Sequence, residues 1–212
     1  MLPSKAVEAS TLELIRSLQN KPYLREFYLA GGTALALRLS HRRSIDIDLF
    51  SNFDFDAAEI FEKMQQDLSF RLFLTAPNTL KGAIGNINVD ILAHRYPHLA
   101  EPEEMNGVFL LSTPDIIAMK LNAISISGQR PKDFIDIFFL LDKYTMREML
   151  SYYQKKYGQD HVGHILKSLV YFDDVDLTGW PVLIENPGLT WKAVRNRIEK
   201  AVLDYAKHQD HV

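Results

Sequence analysis

The sequence predicts an α+β fold: strands mixed with helices over about residues 25–112, then a mostly helical stretch to the C-terminus. Three observations predict it. Apolar residues alternate at period 2 in several short runs of the first half and recur at helical spacing through the second. Proline, asparagine and glycine separate those short runs. At 212 residues, with 47% hydrophobic and 24% charged side chains, the chain can bury one large core or a core plus a smaller helical extension.

Residues 4–20 carry Val7, Leu12, Leu14, Ile15 and Leu18 at helical spacing, and Asn20-Lys21-Pro22 stops that helix because proline cannot continue it. Phe27 to Ala30 is a short buried strand ending at Gly31-Gly32. Thr33, a residue type that caps helices, opens a run of helix formers to Leu39. From Ser44 to Phe50, Ile45, Ile47 and Leu49 alternate with Asp46 and Asp48, which predicts a strand with its carboxylates on one face and its apolar residues on the core. Residues 56–67 suit an amphipathic helix. Phe70 to Leu74, Thr79 to Ile84 and Ile87 to Leu92 are strands, and Phe109 to Leu111 adds another. Helices follow over Pro114 to Ile124, Asp133 to Lys143, Met146 to Tyr157 and His161 to Tyr171. After a stretch punctuated by proline and glycine at 177–189, a last helix runs from Trp191 to Lys207. This divides the chain near Thr113, with residues 1–112 as the α/β core and 113–212 as a helical region that helps complete the core's site.

A formal charge of −3 argues against a generally basic nucleic-acid-binding surface, while a local basic groove stays compatible with it. The absence of cysteine removes disulfides and thiolate metal sites, and fits a reducing compartment. The N-terminus lacks the apolar run of a signal peptide, and no stretch approaches the roughly 20 apolar residues that span a bilayer. The expectation is a cytoplasmic globular protein with no membrane partner.

Two carboxylates on one strand face, Asp46 and Asp48, repel each other unless a positive charge lies between them. A divalent cation supplies one, and oxygen ligation without cysteine favours Mg²⁺ or Mn²⁺. A bare D-x-D is equally an edge strand with two solvated acids. Gly31-Gly32-Thr33 changes the context. Glycines let backbone approach a phosphate, helix N-terminal N–H groups attract anions, and the Thr33 hydroxyl offers one more donor. A phosphate cradle one helix before a pair of carboxylates is what a handler of nucleoside triphosphates with magnesium needs.

The run FYLAGGTALALRLSHRRSIDIDLFS, residues 27–51, resembles the signature of AbiEii/AbiGii-type nucleotidyltransferases. These form a branch of the DNA-polymerase-beta-like superfamily that includes toxins of abortive-infection and toxin–antitoxin systems. Lys120-Leu121-Asn122-Ala123-Ile124 and Arg130-Pro131-Lys132-Asp133-Phe134-Ile135-Asp136 are similar to the family's downstream lysine and K-D-x-x-D helix. The similarity covers about residues 27–140, and no motif matches after about 145.

The resemblance implies a nucleotidyltransferase-like core, a short mixed sheet flanked by helices, with a helical C-terminal region. It implies Gly31, Gly32 and Thr33 against the triphosphate, Asp46 and Asp48 on two metal ions, and a third metal-binding carboxylate from a neighbouring strand. Asp90, flanked by the apolar strand residues Val89 and Ile91, is the choice for that third acid; a solvated strand acid is the alternative. Lys120 would reach the triphosphate, or else snorkel at a helix edge. Asp133 and Asp136, with Arg130 and Lys132, would lie near the nucleotide or acceptor; an acid in a first helical turn also complements the helix dipole or caps it. The basic cluster Arg38, His41, Arg42 and Arg43 could line a path for a phosphate; the resemblance implies that one basic residue at or near Arg43 balances the aspartates and leaves the others as a solvated face. His161 and His164 have a metal-compatible spacing but no third ligand, and Trp180 and Trp191 are better packing anchors than base-stacking platforms.

The activity implied is transfer of a nucleoside monophosphate from a nucleoside triphosphate to an acceptor hydroxyl, with Asp46, Asp48, Asp90 and Lys120 as the chemical residues. The implied acceptors are the 3′ end of tRNA or a protein hydroxyl, and the implied partner is a cognate antitoxin. Two alternatives stand beside it: binding of a nucleotide or antitoxin with little turnover, and transfer of the γ-phosphoryl group on the same fold.

Overall fold

The structure, a computed structural model, describes residues 5–208. It divides into two compact units, Met1–Ser112 and Thr113–Val212. Among the described residues no helix is long and apolar enough to cross a membrane.

The first unit is a mixed sheet with helices. Helix α1 (Ala9–Gln19) precedes strand β1 (Tyr28–Leu29), helix α2 (Gly31–Leu39), strand β2 (Ile47–Ser51) and helix α3 (Ala57–Leu68). Strands β3 (Arg71–Ala76), β4 (Thr79–Ile84), β5 (Ile87–Ala93), β6 (Glu103–Met105) and β7 (Val108–Leu110) complete it. The seven strands lie in the order β3-β4-β5-β2-β1-β7-β6. β2 runs parallel to β5 and antiparallel to β1, and β1 runs parallel to β7.

Local chemistry explains the turns. Pro77-Asn78 and Gly85-Asn86 join β3 to β4 and β4 to β5 as two-residue loops, with Asn78 and Gly85 taking the positive φ that such turns need. Asp56 opens α3 by accepting the N–H groups of Ala58 and Glu59 at 2.8 and 3.2 Å. The hairpin of β6 and β7 turns on Asn106-Gly107, both at positive φ. Strand β6 falls outside the expectation from sequence because Glu103 and Glu104 interrupt its apolar pattern; the Asn-Gly pair was its usable signal.

Alternation largely holds in β2: Ile47 and Leu49 are fully buried and Asp48 is half-buried. Ile45 departs from it, at 55% exposed. The ladder begins only at Ile47, and the N–H of Ser44 donates to the Ala6 carbonyl rather than to a sheet neighbour, so the strand's facing rule does not govern Ile45. Helix α1 likewise begins at Ala9, later than expected; Ser4, where the expected helix began, lies outside the described residues.

The second unit packs helices α4 (Thr113–Ile126), α5 (Pro131–Leu140), α6 (Met146–Tyr157), α7 (Gly163–Leu169) and α8 (Trp191–Lys207). Fully buried Phe134 meets Phe172 and Trp191 at 5.6 Å between ring centroids, and Trp180 stands edge-on to Trp191. Both tryptophans thus pack against other aromatic rings. An ion pair joins α4 to α6, with Lys156 Nζ 2.7 Å from Asp115 Oδ1 and both side chains essentially inaccessible.

Candidate active site

Strand register assembles the acids. Asp48 of β2 lies opposite Asp90 of β5, so in this parallel pair both carboxylates stand on the same face of the sheet. Two residues before Asp90, Asn88 Nδ2 donates to Asp46 Oδ1 at 3.1 Å, which ties the first acid of the D-x-D to the same face. Two residues further on, that face carries Phe50 and Leu92, with Tyr28 of β1 opposite Phe50. Residues 48 and 90, distant in sequence, are therefore partners on one rung, and Asp46, just before the ladder, is tied to their face through Asn88.

The glycine turn sits on this row. Gly31 adopts φ +64°, and a β-carbon there would lie 2.5 Å from Asp48 Oδ2. Only a glycine allows both the left-handed backbone and so close an approach. Gly32 is pressed against the Arg42 guanidinium, which a side chain at that position would strike. The Ala30 N–H donates to the Asp48 carbonyl at 3.0 Å, and α2 starts immediately after, with its N-terminal end beside the carboxylate.

Thr33 is placed differently from its expected role as a phosphate donor. Its hydroxyl is almost wholly buried and donates to the Asp46 carbonyl. With that proton committed, Ser44 Oγ, 2.8 Å away, is the donor to Thr33 Oγ1. Thr33 thus braces the chain that carries Asp46. Arg43 is exposed, whereas Arg42 is 2% exposed, packs under Gly32 and donates to the Arg43 carbonyl at 3.2 Å. The basic residue built into the turn is Arg42, one position before the residue singled out from sequence. Nothing in the sequence alone separates two adjacent arginines that precede a ladder.

Lys81 and Asn88 are the other residues that sequence reasoning missed. Lys81 Nζ lies 2.7 Å from Asp90 Oδ2, and the two residues are register partners across β4 and β5. The signal for it was available: a two-residue Gly85-Asn86 turn pairs Ile84 with Ile87, and counting outward pairs Lys81 with Asp90. Among the described residues no group of three or more His, Cys, Asp or Glu side chains is placed to hold a metal.

The remaining expected residues gather in the second unit. Lys120 of α4 places Nζ 2.5 Å from Asp133 Oδ1 and 2.7 Å from Asp136 Oδ2, both on α5. All three are buried, and Arg130 adds a contact of 2.8 Å to Asp133 Oδ2 from a half-exposed position. Helical spacing turns Asp133 and Asp136 to the same side of α5, where one ammonium serves both. Asp133 neither caps its helix, whose N-cap is Arg130, nor faces solvent. Lys120 does not snorkel. His164 shares a hydrogen bond of 3.1 Å with the Tyr153 hydroxyl.

The sheet thus sets the carboxylates of β2 and β5 on one face beneath a glycine turn. Comparison with known proteins identifies the family. The chain matches the AbiEii nucleotidyl transferase toxins of type IV toxin–antitoxin systems over residues 13–72 and 71–210. It therefore belongs to that family, and it is a nucleotidyltransferase. An uncharacterized protein of Aquifex aeolicus is 33% identical over 189 residues, covering 86% of this chain and 89% of that one. Among solved structures, MenT4, a nucleotidyltransferase toxin of Mycobacterium tuberculosis, superposes with a TM-score of 0.60 at 13% identity, over 91% of this chain and 81% of that one. JHP933 of Helicobacter pylori gives 0.53 at 14% identity, over 97% of each chain. At these identities the two structural likenesses speak for the fold.

Proposed function

We propose that the protein transfers a nucleoside monophosphate from a nucleoside triphosphate to an acceptor hydroxyl, with Mg²⁺ or Mn²⁺ as cofactor. One observation carries the reading: Gly31 rests directly on Asp48, so the backbone suited to a triphosphate and the carboxylate suited to its cation share one spot. The donor set fits a hard divalent ion, being carboxylate oxygens on one sheet face in a chain without cysteine. Asp46 and Asp48 are the residues that would hold it. When bound, such an ion neutralises phosphate charge as pyrophosphate departs.

The chain's own residues account for the rest. The turn at Gly31 and Gly32 and the start of α2 bind phosphate oxygens, and Thr33 with Ser44 fixes the backbone that carries Asp46. The acceptor oxygen forms a new bond to the α-phosphorus, and the bond from that phosphorus to the oxygen bridging to the β-phosphate breaks. Pyrophosphate leaves, and the hydroxyl proton passes to a carboxylate, for which Asp90 stands on the correct face. Lys120, Asp133 and Asp136, with Arg130, form a separate charged cluster within the second unit.

The acceptor is the 3′ end of tRNA or a protein hydroxyl, and the biological role is that of a toxin held in check by an antitoxin encoded beside it. Membership of the AbiEii family supports the toxin role. Incubation of the protein with each of the four triphosphates, labelled at α or γ, and with total cellular RNA and protein, tests the reading. The α label should appear on one acceptor class with release of pyrophosphate, and Asp48→Asn should abolish it. A γ label on the acceptor would replace this reading with phosphoryl transfer; a fully active Asp48→Asn protein would remove the site.

A further inference from the structure

We propose that an aromatic row on the sheet holds the donor's base: the nucleobase of the bound nucleoside triphosphate stacks on Phe50 and Tyr28, with its phosphates at the Gly31-Gly32 turn. The inference rests on the transfer-site reading above and deepens it.

Strand register lays out the row. Asp48 and Phe50 are two residues apart on β2 and so point to the same face. Tyr28 of β1 and Leu92 of β5 flank Phe50 as its partners. Leu29 pairs with Leu110 in the parallel pair of β1 and β7, which sets Tyr28 beside Phe109, and Glu104 of β6 lies opposite Phe109. The chain leaving β5 adds two more rings. The His94 N–H donates to the Ser51 carbonyl at 2.7 Å, and the His94 ring stands edge-on to Phe50 at 6.2 Å between centroids. The His98 ring stands edge-on to Tyr28 at 5.6 Å.

The row is not core. On the opposite face Leu29, Ile47 and Leu49 of the same strands are fully buried, whereas Phe50 and Tyr28 are half-buried and Phe109 is 39% exposed. Partly open rings offer flat faces, and a nucleobase is the flat group that the transfer reading supplies. Two residues of strand advance roughly 6.5 Å, so a nucleotide with phosphates over Asp48 can lay its base over Phe50. Charge sets its direction. Glu104 ends the row, and burial first, then Glu26 and Glu101, push the Tyr28 phenol pKa up. Carboxylates at that end repel phosphate and tolerate a neutral base, while the start of α2 attracts phosphate at the other. The same carboxylates oppose a polyanionic RNA strand, so the base is the donor's and not an RNA acceptor's.

Binding without turnover tests this. The full-length protein is titrated by calorimetry, with Mg²⁺ and no acceptor, against each of the four nucleoside triphosphates and against inorganic tripolyphosphate, which has phosphates but no base. The wild type should bind at least one nucleoside triphosphate about 5- to 150-fold more tightly than tripolyphosphate, the range that one stacked base contributes. Phe50→Ala should remove most of that preference and leave tripolyphosphate affinity unchanged, which also reports an intact fold. Phe50→Tyr should retain the preference. An unchanged preference in Phe50→Ala, or an equal loss for both ligands, would overturn the base subsite. Phe50→Ala that keeps its triphosphate affinity but loses binding of a single-stranded oligoribonucleotide would give the row to the acceptor instead. Gly31→Ala separates the two levels. Weaker tripolyphosphate binding in Gly31→Ala with no effect of Phe50→Ala refutes the base subsite alone; undiminished binding of both ligands in Gly31→Ala refutes the phosphate site on which it rests.

Discussion

Replacing Gly31 with alanine tests whether the glycine turn and Asp48 act as one unit. Two effects of the substitution can be separated. At φ +64° an L-residue occupies the left-handed region, which costs about 1–2 kcal/mol. The new β-carbon would also lie 2.5 Å from Asp48 Oδ2. Carbon and oxygen settle at about 3.3–3.6 Å, so the pair must separate by roughly 1 Å. A displacement of that size at a reacting site lowers a rate by about 100-fold. Gly158 is the control, at φ +61° with nothing within 4 Å of an added β-carbon, so Gly158→Ala carries the strain without the collision. Both variants should melt lower, by roughly 2–4 °C for each kcal/mol in a chain of this size. Only Gly31→Ala should lose transfer, read as pyrophosphate released from an α-labelled triphosphate, by about 100-fold in kcat. Wild-type activity in Gly31→Ala would refute the close packing of turn and carboxylate. An equal loss in Gly158→Ala would show that strain, not collision, is responsible.

Two further predictions concern the second unit. Lys156→Met should destabilise it by about 3–5 kcal/mol, because Asp115 would remain fully buried without its ammonium partner. Urea unfolding should show this as a lower midpoint at unchanged slope, and a cost under about 1 kcal/mol would contradict the buried pair. The Glu148 carboxyl is held below the usual glutamate range, first by the Thr145 backbone N–H and then by the Thr145 hydroxyl. A depressed folded pKa gives stability that is present above the unfolded value, about 4.3 for glutamate, and lost as the pH falls through the folded value. The stability difference between wild type and Glu148→Gln should therefore be constant near neutrality and shrink on acidification; a difference that grew in acid would contradict the capping box.

Much of the site was legible because its signals are local. The D-x-D alternation, the Gly31-Gly32 turn and the third acid on the β5 strand each depend on a few neighbouring residues, and the structure brings all of them to one face. Thr33 and Arg42 show where that legibility stops. The Thr33 hydroxyl had a plausible phosphate to meet, yet its partners are Asp46 and Ser44, fixed by how α2 packs on the approach to β2. Arg42 and Arg43 are equivalent in sequence, and only the packing under Gly32 distinguishes them.

Sequence by itself determined most of the strands and helices, β6 excepted, because each follows from short-range periodicity and turn chemistry. Tertiary structure decided which charges meet. Strand order places β5, and not β1, alongside β2 in parallel, so Asp90 faces Asp48. Helix packing gives Lys120 to both Asp133 and Asp136. Coulomb interactions depend on distance in space, and distance in space is what a linear pattern does not contain.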